Sequence, residues 1–152
     1  MKLMKYTLLG ILVFFSCSAI AQDNHKFPKL EELHERKWQS LVAQAQLTQK
    51  EIEMVKPVFM EYEQSVWKLH RENREFFKSS LTNAKTNKPN YAELNDRYVE
   101  YEFKEAQLFK SYHLQLRKLM QPETLFRYYK AEREFKRKLL QDFQERKLHD
   151  MR

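Results

Sequence analysis

Apolar residues recur along this chain in alternating steps of three and four, the spacing that keeps a stripe on one face of an α-helix. The clearest helix start is Leu47-Thr48-Gln49-Lys50-Glu51-Ile52. Thr48 is placed as an N-cap whose hydroxyl accepts from a free N–H of the first turn. Glu51, three residues on, reaches back to the Thr48 N–H and closes a capping box. Leu47 and Ile52 flank the cap as a hydrophobic staple. Behind this start run Ile52, Val55, Phe59, Tyr62, Val66, Leu69 and, after a polar Asn73, Phe76. The pattern predicts a helix over about 49–81, kinked at Pro57, whose ring removes a backbone donor.

Three more helices follow from the same reasoning. The first, about 28–45, opens at Pro28 and buries Leu30, Leu33, Leu41 and Ala45, with Trp38 and Val42 at the flanks. The third, about 91–119, starts at Asn90 with Glu93 in the capping-box position. Its seam is Tyr91, Leu94, Tyr98, Tyr101, Leu108, Tyr112 and Leu119, with Glu105 and Gln115 filling two gaps. Phe103, Ala106, Phe109 and Leu116 widen that stripe and predict contact with more than one neighbour. The fourth, about 122–146, has Pro122 at its first position, where a missing N–H costs nothing. Met120 and Leu125 form a second staple around Gln121, a poorer cap. Leu125, Tyr128, Phe135 and Leu139 share one face, with Phe126, Tyr129, Leu140 and Phe143 beside it. The polar stretch Thr82–Asn90, which holds Pro89, is a loop, and residues 147–152 are polar enough to fray. The fold expected is all-α, four helices in one domain over 28–146.

Residues 1–21 read differently. Lys2 and Lys5 precede an apolar run from Leu8 to Phe15 that is too short to span a bilayer. Ala19-Ile20-Ala21 supplies the small-x-small pattern of signal-peptidase cleavage. This predicts export to the periplasm, with the mature chain starting at Gln22 and residues 22–27 as a flexible tail. The alternative is a lipoprotein anchored at Cys17; Ser16 and Ser18 suit it, whereas Phe14 and Phe15 fit the preceding lipobox positions poorly.

Cleavage changes the chemistry that remains. The formal charge of the whole chain is +7. Two lysines and no carboxylate leave with the leader, so the exported part carries +5. The only cysteine, Cys17, and the only glycine, Gly10, leave as well. No disulfide can form. Glycine-dependent phosphate loops and nucleophile elbows are excluded in their usual form. Helix formers such as Glu, Lys, Gln, Leu and Arg dominate what is left.

The two helix starts, Leu47-Thr48-Gln49-Lys50-Glu51 and Met120-Gln121-Pro122-Glu123-Thr124, together with the following LFRYYKAEREF segment, resemble the Spy/CpxP (LTxxQ-motif) group of periplasmic proteins, in the form of Bacteroidetes-type members. The likeness covers roughly residues 40–145. Its motif residues here are Leu47, Thr48, Glu51, Met120, Gln121, Pro122 and Glu123. Glu51 replaces the final Gln of the motif but keeps the capping role, and the second copy lacks both Leu and Thr. The resemblance implies a homodimer of long helices forming a thin, curved cradle. It further implies an ATP-independent chaperone of the envelope stress response that binds unfolded or misfolded envelope proteins. Other relatives hold a membrane sensor kinase in check, or bind metal.

Too many aromatics are present for a thin helical layer to bury, so some should face solvent among Lys and Arg. The candidate client-binding residues are Trp67, Arg71, Arg74, Phe77, Lys78, Arg97 and Lys104. Arg133, Lys136, Arg137 and Lys138 form the densest basic patch. Aromatics at helical spacing more often belong to a core, and helix charges more often form a solvated face. His25, His34, His70, His113 and His149 are scattered without a pair at i, i+4, so no metal site or cofactor is expected. Ser40, Ser65, Ser79, Ser80 and Ser111 have no recognisable base nearby, and no catalytic residue is assigned. The basic charge suits nucleic acid, yet export and the absence of a recognisable binding motif argue against that partner.

Overall fold

The computed structural model describes residues 30–82 and 88–150. The leader with Cys17, the tail 22–27 with His25, the helix start at Pro28, loop residues 83–87 and the last two residues lie outside the described set. Four helices make up the described chain: α1 (Leu30–Ala45), α2 (Gln49–Thr82), α3 (Tyr91–Leu119) and α4 (Pro122–Asp150). The fold is all-helical, and α4 runs four residues past its expected end, with Lys147 and His149 in its last turn facing the negative end of the helix dipole.

Local devices set the helix starts. The Thr48 N–H donates to Glu51 Oε2 at 2.9 Å and the Glu51 N–H donates to Thr48 Oγ1 at 3.3 Å, so the capping box is closed in both directions. Leu47 is buried, and Ile52 packs against the same core. At α3 the Glu93 N–H donates to Asn90 Oδ1 at 3.3 Å. Met120 and Leu125 are both buried around the exposed Gln121. Pro57 sits inside α2 without interrupting it. The ring is on the solvent side, where water can satisfy the freed carbonyl one turn earlier.

The α1–α2 connection shows what a chain lacking glycine does instead. Gln46 takes φ 56°, the left-handed conformation that glycine usually supplies at a helix end. The Leu47 N–H then donates to the Val42 carbonyl at 3.1 Å, the long return bond of a Schellman ending. No basic residue lies in the last turn of α1. Arg127 of α4 takes that place, with its Nε–H donating to the Ala45 carbonyl at 3.1 Å.

The helices pair unevenly. α2 lies along α3 and α1 along α4, while α1–α2 and α3–α4 contacts are few. Both main pairs are antiparallel: Tyr62 stacks on Tyr112 and His70 meets Glu105, while Ala45 meets Arg127 and Lys37 meets Glu132. One core forms where all four helices approach, from Trp38, Leu41, Val55, Phe59, Tyr112, Leu116, Leu125 and Tyr128. Trp38, expected at a flank, is the largest fully buried side chain, with its ring 5.2 Å from Phe59. Leu116 is fully buried too, whereas Tyr91 and Tyr98 of the expected α3 seam face solvent. The cause is contact, not period: α3 meets α4 only at its C-terminal end, and its first half has α2 alone.

Polar groups not anticipated from the pattern lie inside this core. Lys37 of α1 donates to Glu63 Oε1 of α2 at 2.7 Å and to Glu132 Oε1 of α4 at 2.8 Å. His34 stands 3.8 Å from the other Glu63 oxygen. Burial pulls the Lys37 ammonium toward neutrality, but the attraction of Glu132 and Glu63 outweighs it and holds the group above the ordinary lysine value of 10.5. Next to it the Tyr112 and Tyr128 hydroxyls share a 2.6 Å hydrogen bond. Burial first raises both phenols well above 10.0, and Tyr62 with them; the Tyr128 neighbour adds to this at Tyr112, and the Glu132 and Glu63 charges add at all three.

Two predictions follow from this cluster. Lys37→Met should destabilise the fold by about 3–5 kcal/mol in urea titration, because the buried Glu132 and the half-buried Glu63 then lose their shared cation. Adding Glu63→Gln and Glu132→Gln should recover most of that loss; no recovery would show that Lys37 acts by packing alone. Stability should also fall as pH rises above about 10. There the unfolded chain has already lost its phenol and ammonium protons while the folded chain retains them, so alkali favours unfolding. Thermal melts followed by circular dichroism at pH 8, 10 and 11 would test this, and an unchanged midpoint would contradict it.

Candidate functional site

Beyond the four-helix core, the α2–α3 hairpin is only two helices thick. Leu69 and Leu94 are the buried apolar residues of its distal half among those described. Two helices bury one stripe each, so aromatic residues off that stripe meet water. Trp67 and Phe103 are 39% and 60% exposed, and Phe109 is exposed as well; on α4, Phe126 is 64% exposed and Phe143 also faces solvent.

The expected client-binding residues divide into groups. Trp67, Arg71, Arg74 and Lys78 follow one another along α2 at helical spacing, and the Arg74 guanidinium lies 5.8 Å from the centre of the Trp67 ring. Phe77 is half-buried edge-on to Phe76, and Arg97 lies over the same Phe76 ring at 5.2 Å. Several of these charges are already matched. Lys104 pairs with Glu100 at 2.6 Å, Arg97 reaches Glu100 at 3.9 Å, and Arg71 reaches Glu75 at 4.0 Å. Among the described residues Arg74 and Lys78 have no carboxylate partner. The structure thus brings together Trp67 with Arg74, and Phe77 with Arg97 through Phe76, while Lys104 belongs to a surface ion pair. The helix-start residues Thr48, Glu51, Gln121, Pro122 and Glu123 are exposed or half-exposed, and their part is in ending and starting helices; Leu47 and Met120 are core.

A second surface lies between α3 and α4, which diverge after the Met120–Gln121 break. The crevice is about 520 Å3 and is lined by Phe109 and His113 of α3 and by Phe126, Tyr129, Glu132, Arg133 and Lys136 of α4. His113 Nδ1 and the Tyr129 hydroxyl are hydrogen-bonded at 2.8 Å, and the Phe109 and Tyr129 rings are 5.7 Å apart. Burial, with the Glu132 charge adding to it, pushes the Tyr129 phenol up to about 12. Glu132 faces the crevice from its floor, but its carboxylate is held by Lys37. Of the basic patch picked out in the sequence, Arg137 and Lys138 fold back onto Glu134, at 2.6 and 3.8 Å. Arg133 and Lys136 line the crevice with no ion-pair partner among the described residues. The pattern contained this signal: Phe126, Tyr129, Arg133 and Lys136 follow at helical spacing. What it lacked was the knowledge that α3 would stand across from them.

These positions should tolerate change without loss of fold. Phe126→Ser and Arg133→Ala should each stay within about 0.5 kcal/mol of the parent in urea titration, while Tyr128→Ala, one residue from the crevice but in the core, should cost about 3–5 kcal/mol. Equal losses at Phe126 and Tyr128 would mean that the crevice is structural.

No helix among the described residues is long and apolar enough to cross a membrane. Compared with known proteins, no family model matches the chain, and no curated protein and no solved structure is significantly similar to it.

Proposed function

We propose that this chain is an exported, ATP-independent chaperone of the Spy/CpxP kind, working in the periplasm as a homodimer and holding unfolded or aggregation-prone proteins. The observation that carries this reading is the combination of a closed core with large apolar groups left outside it beside unmatched cations. Trp67 and Phe126 are not exposed for want of a core, since Trp38, Phe59 and Tyr128 fill one completely. Arg74 and Lys78 on one surface, and Arg133 and Lys136 on the other, keep their charge available for acidic segments. Such surfaces bind varied chains weakly, by burying apolar area where a client exposes it and by attraction that speeds encounter. The capture step needs no nucleotide, because exposed apolar surface is competent as it stands.

The purified protein, without nucleotide, should suppress light scattering from a chemically denatured test protein at near-stoichiometric ratios. Trp67→Ser combined with Arg74→Glu should weaken suppression several-fold at unchanged helicity, and added salt should weaken it for acidic clients. No suppression at any ratio would end the chaperone reading.

A further inference from the structure

The α3–α4 crevice has a polarity of its own that capture of unfolded chains does not require. Along α4 its lining runs Phe126, Tyr129, Arg133, Lys136, a single stripe about 15 Å long at the helical rise per residue. Its aromatic members come first and its cations last. Phe109 and His113 close the opposite wall, and the His113–Tyr129 hydrogen bond uses the polar atoms that would otherwise meet an apolar occupant. The floor carboxylate of Glu132 is hydrogen-bonded by Lys37, an ammonium it shares with Glu63. Arg133 and Lys136 outnumber that one carboxylate, so the net charge of the lining is positive, and the cations sit at one end of the α4 stripe. Its volume, about 520 Å3, falls among sites that hold one small ligand.

We infer that this crevice is a binding site for a single-chain fatty carboxylate, with the alkyl chain along Phe109, Phe126 and Tyr129 and the carboxylate at Arg133 and Lys136. Each part of the ligand answers one feature. Two unmatched cations at one end select an anionic head, since charge-assisted hydrogen bonds from guanidinium and ammonium are the stronger kind. Three aromatic side chains at the other end gain from burying alkyl surface. One crevice of this size accommodates one chain, which favours a free fatty acid over a two-chain lipid in a bilayer. The inference stands apart from client capture on the α2 surface, where Trp67 and Arg74 lie on a different helix.

Titration calorimetry of the purified protein with monomeric dodecanoate, below its micelle concentration, is the direct test. The expected result is saturable binding near one per chain, with dodecyl maltoside at the same concentration giving no saturable heat. Phe126→Asp should weaken dodecanoate binding roughly tenfold, and Arg133→Glu with Lys136→Glu by at least as much. All three substituted residues are exposed, so circular dichroism should show the parent helicity. Arg74→Glu should leave dodecanoate binding unchanged even where it weakens chaperoning, which separates failure of this inference from failure of the capture reading. Equal binding by the parent and the Arg133/Lys136 variant would overturn the site. Binding to anionic phospholipid vesicles without binding of monomeric dodecanoate would overturn it too, and would assign the patch to a membrane surface.

Discussion

One lysine held between two carboxylates is the constraint on which the arrangement of these helices depends. Lys37, Glu63 and Glu132 come from α1, α2 and α4, and the two hydrogen bonds that join them are 2.7 and 2.8 Å long. None of the three charges tolerates burial alone. Sliding α1 by a single residue would shift Lys37 by about 1.5 Å and turn it by about 100°, and both bonds would break. Apolar packing around Trp38, Leu41 and Leu116 supplies the greater part of the driving force, but it is far less particular about register than this contact. The neighbouring Tyr112–Tyr128 hydrogen bond extends the same polar seam to α3, so that each helix contributes at least one group to it.

The placement of that core at one end of the molecule explains the surfaces elsewhere. Four helices meet around Phe59 and Tyr128 and can enclose apolar groups from several directions. Farther along, α2 and α3 have only each other, and α3 and α4 part after their short connection. A helix with one neighbour hides one stripe. Residues that widen the stripe, such as Phe103, Phe109 and Phe126, are left at the surface by geometry. Both proposed partners, an unfolded segment and a fatty chain, would draw on this exposed apolar area, with nearby cations selecting the charge admitted.

Part of this was legible in the order of residues. The boundaries of α3 match their expected positions, and α2 differs by a single residue at its end, because Thr48, Glu51, Asn90, Glu93 and the prolines act on backbone groups within a turn. The α2 seam is also inward-facing as expected, with Val55, Phe59 and Leu69 buried. The α3 seam was less well read at Tyr91 and Tyr98, which have the right period but no helix to cover them. Arg71, Arg97 and Lys104 were candidates for client binding, yet each has a carboxylate one helical turn away on its own helix. The crevice cations Arg133 and Lys136 were visible as part of a basic run; their separation from Arg137 and Lys138 became apparent only with side-chain geometry.

The sequence by itself determined four helices, where α2, α3 and α4 begin, and which face of each helix is predominantly apolar, since caps and helical period act over a few residues. Only the tertiary structure decided that Lys37, His34 and Glu132 turn inward, that Gln46 takes the left-handed turn in the absence of glycine, and that Phe126 stays out while Tyr128 is sealed in. Those outcomes depend on which helix lies opposite which, and that is set by contacts between residues dozens of positions apart, beyond the reach of any local pattern.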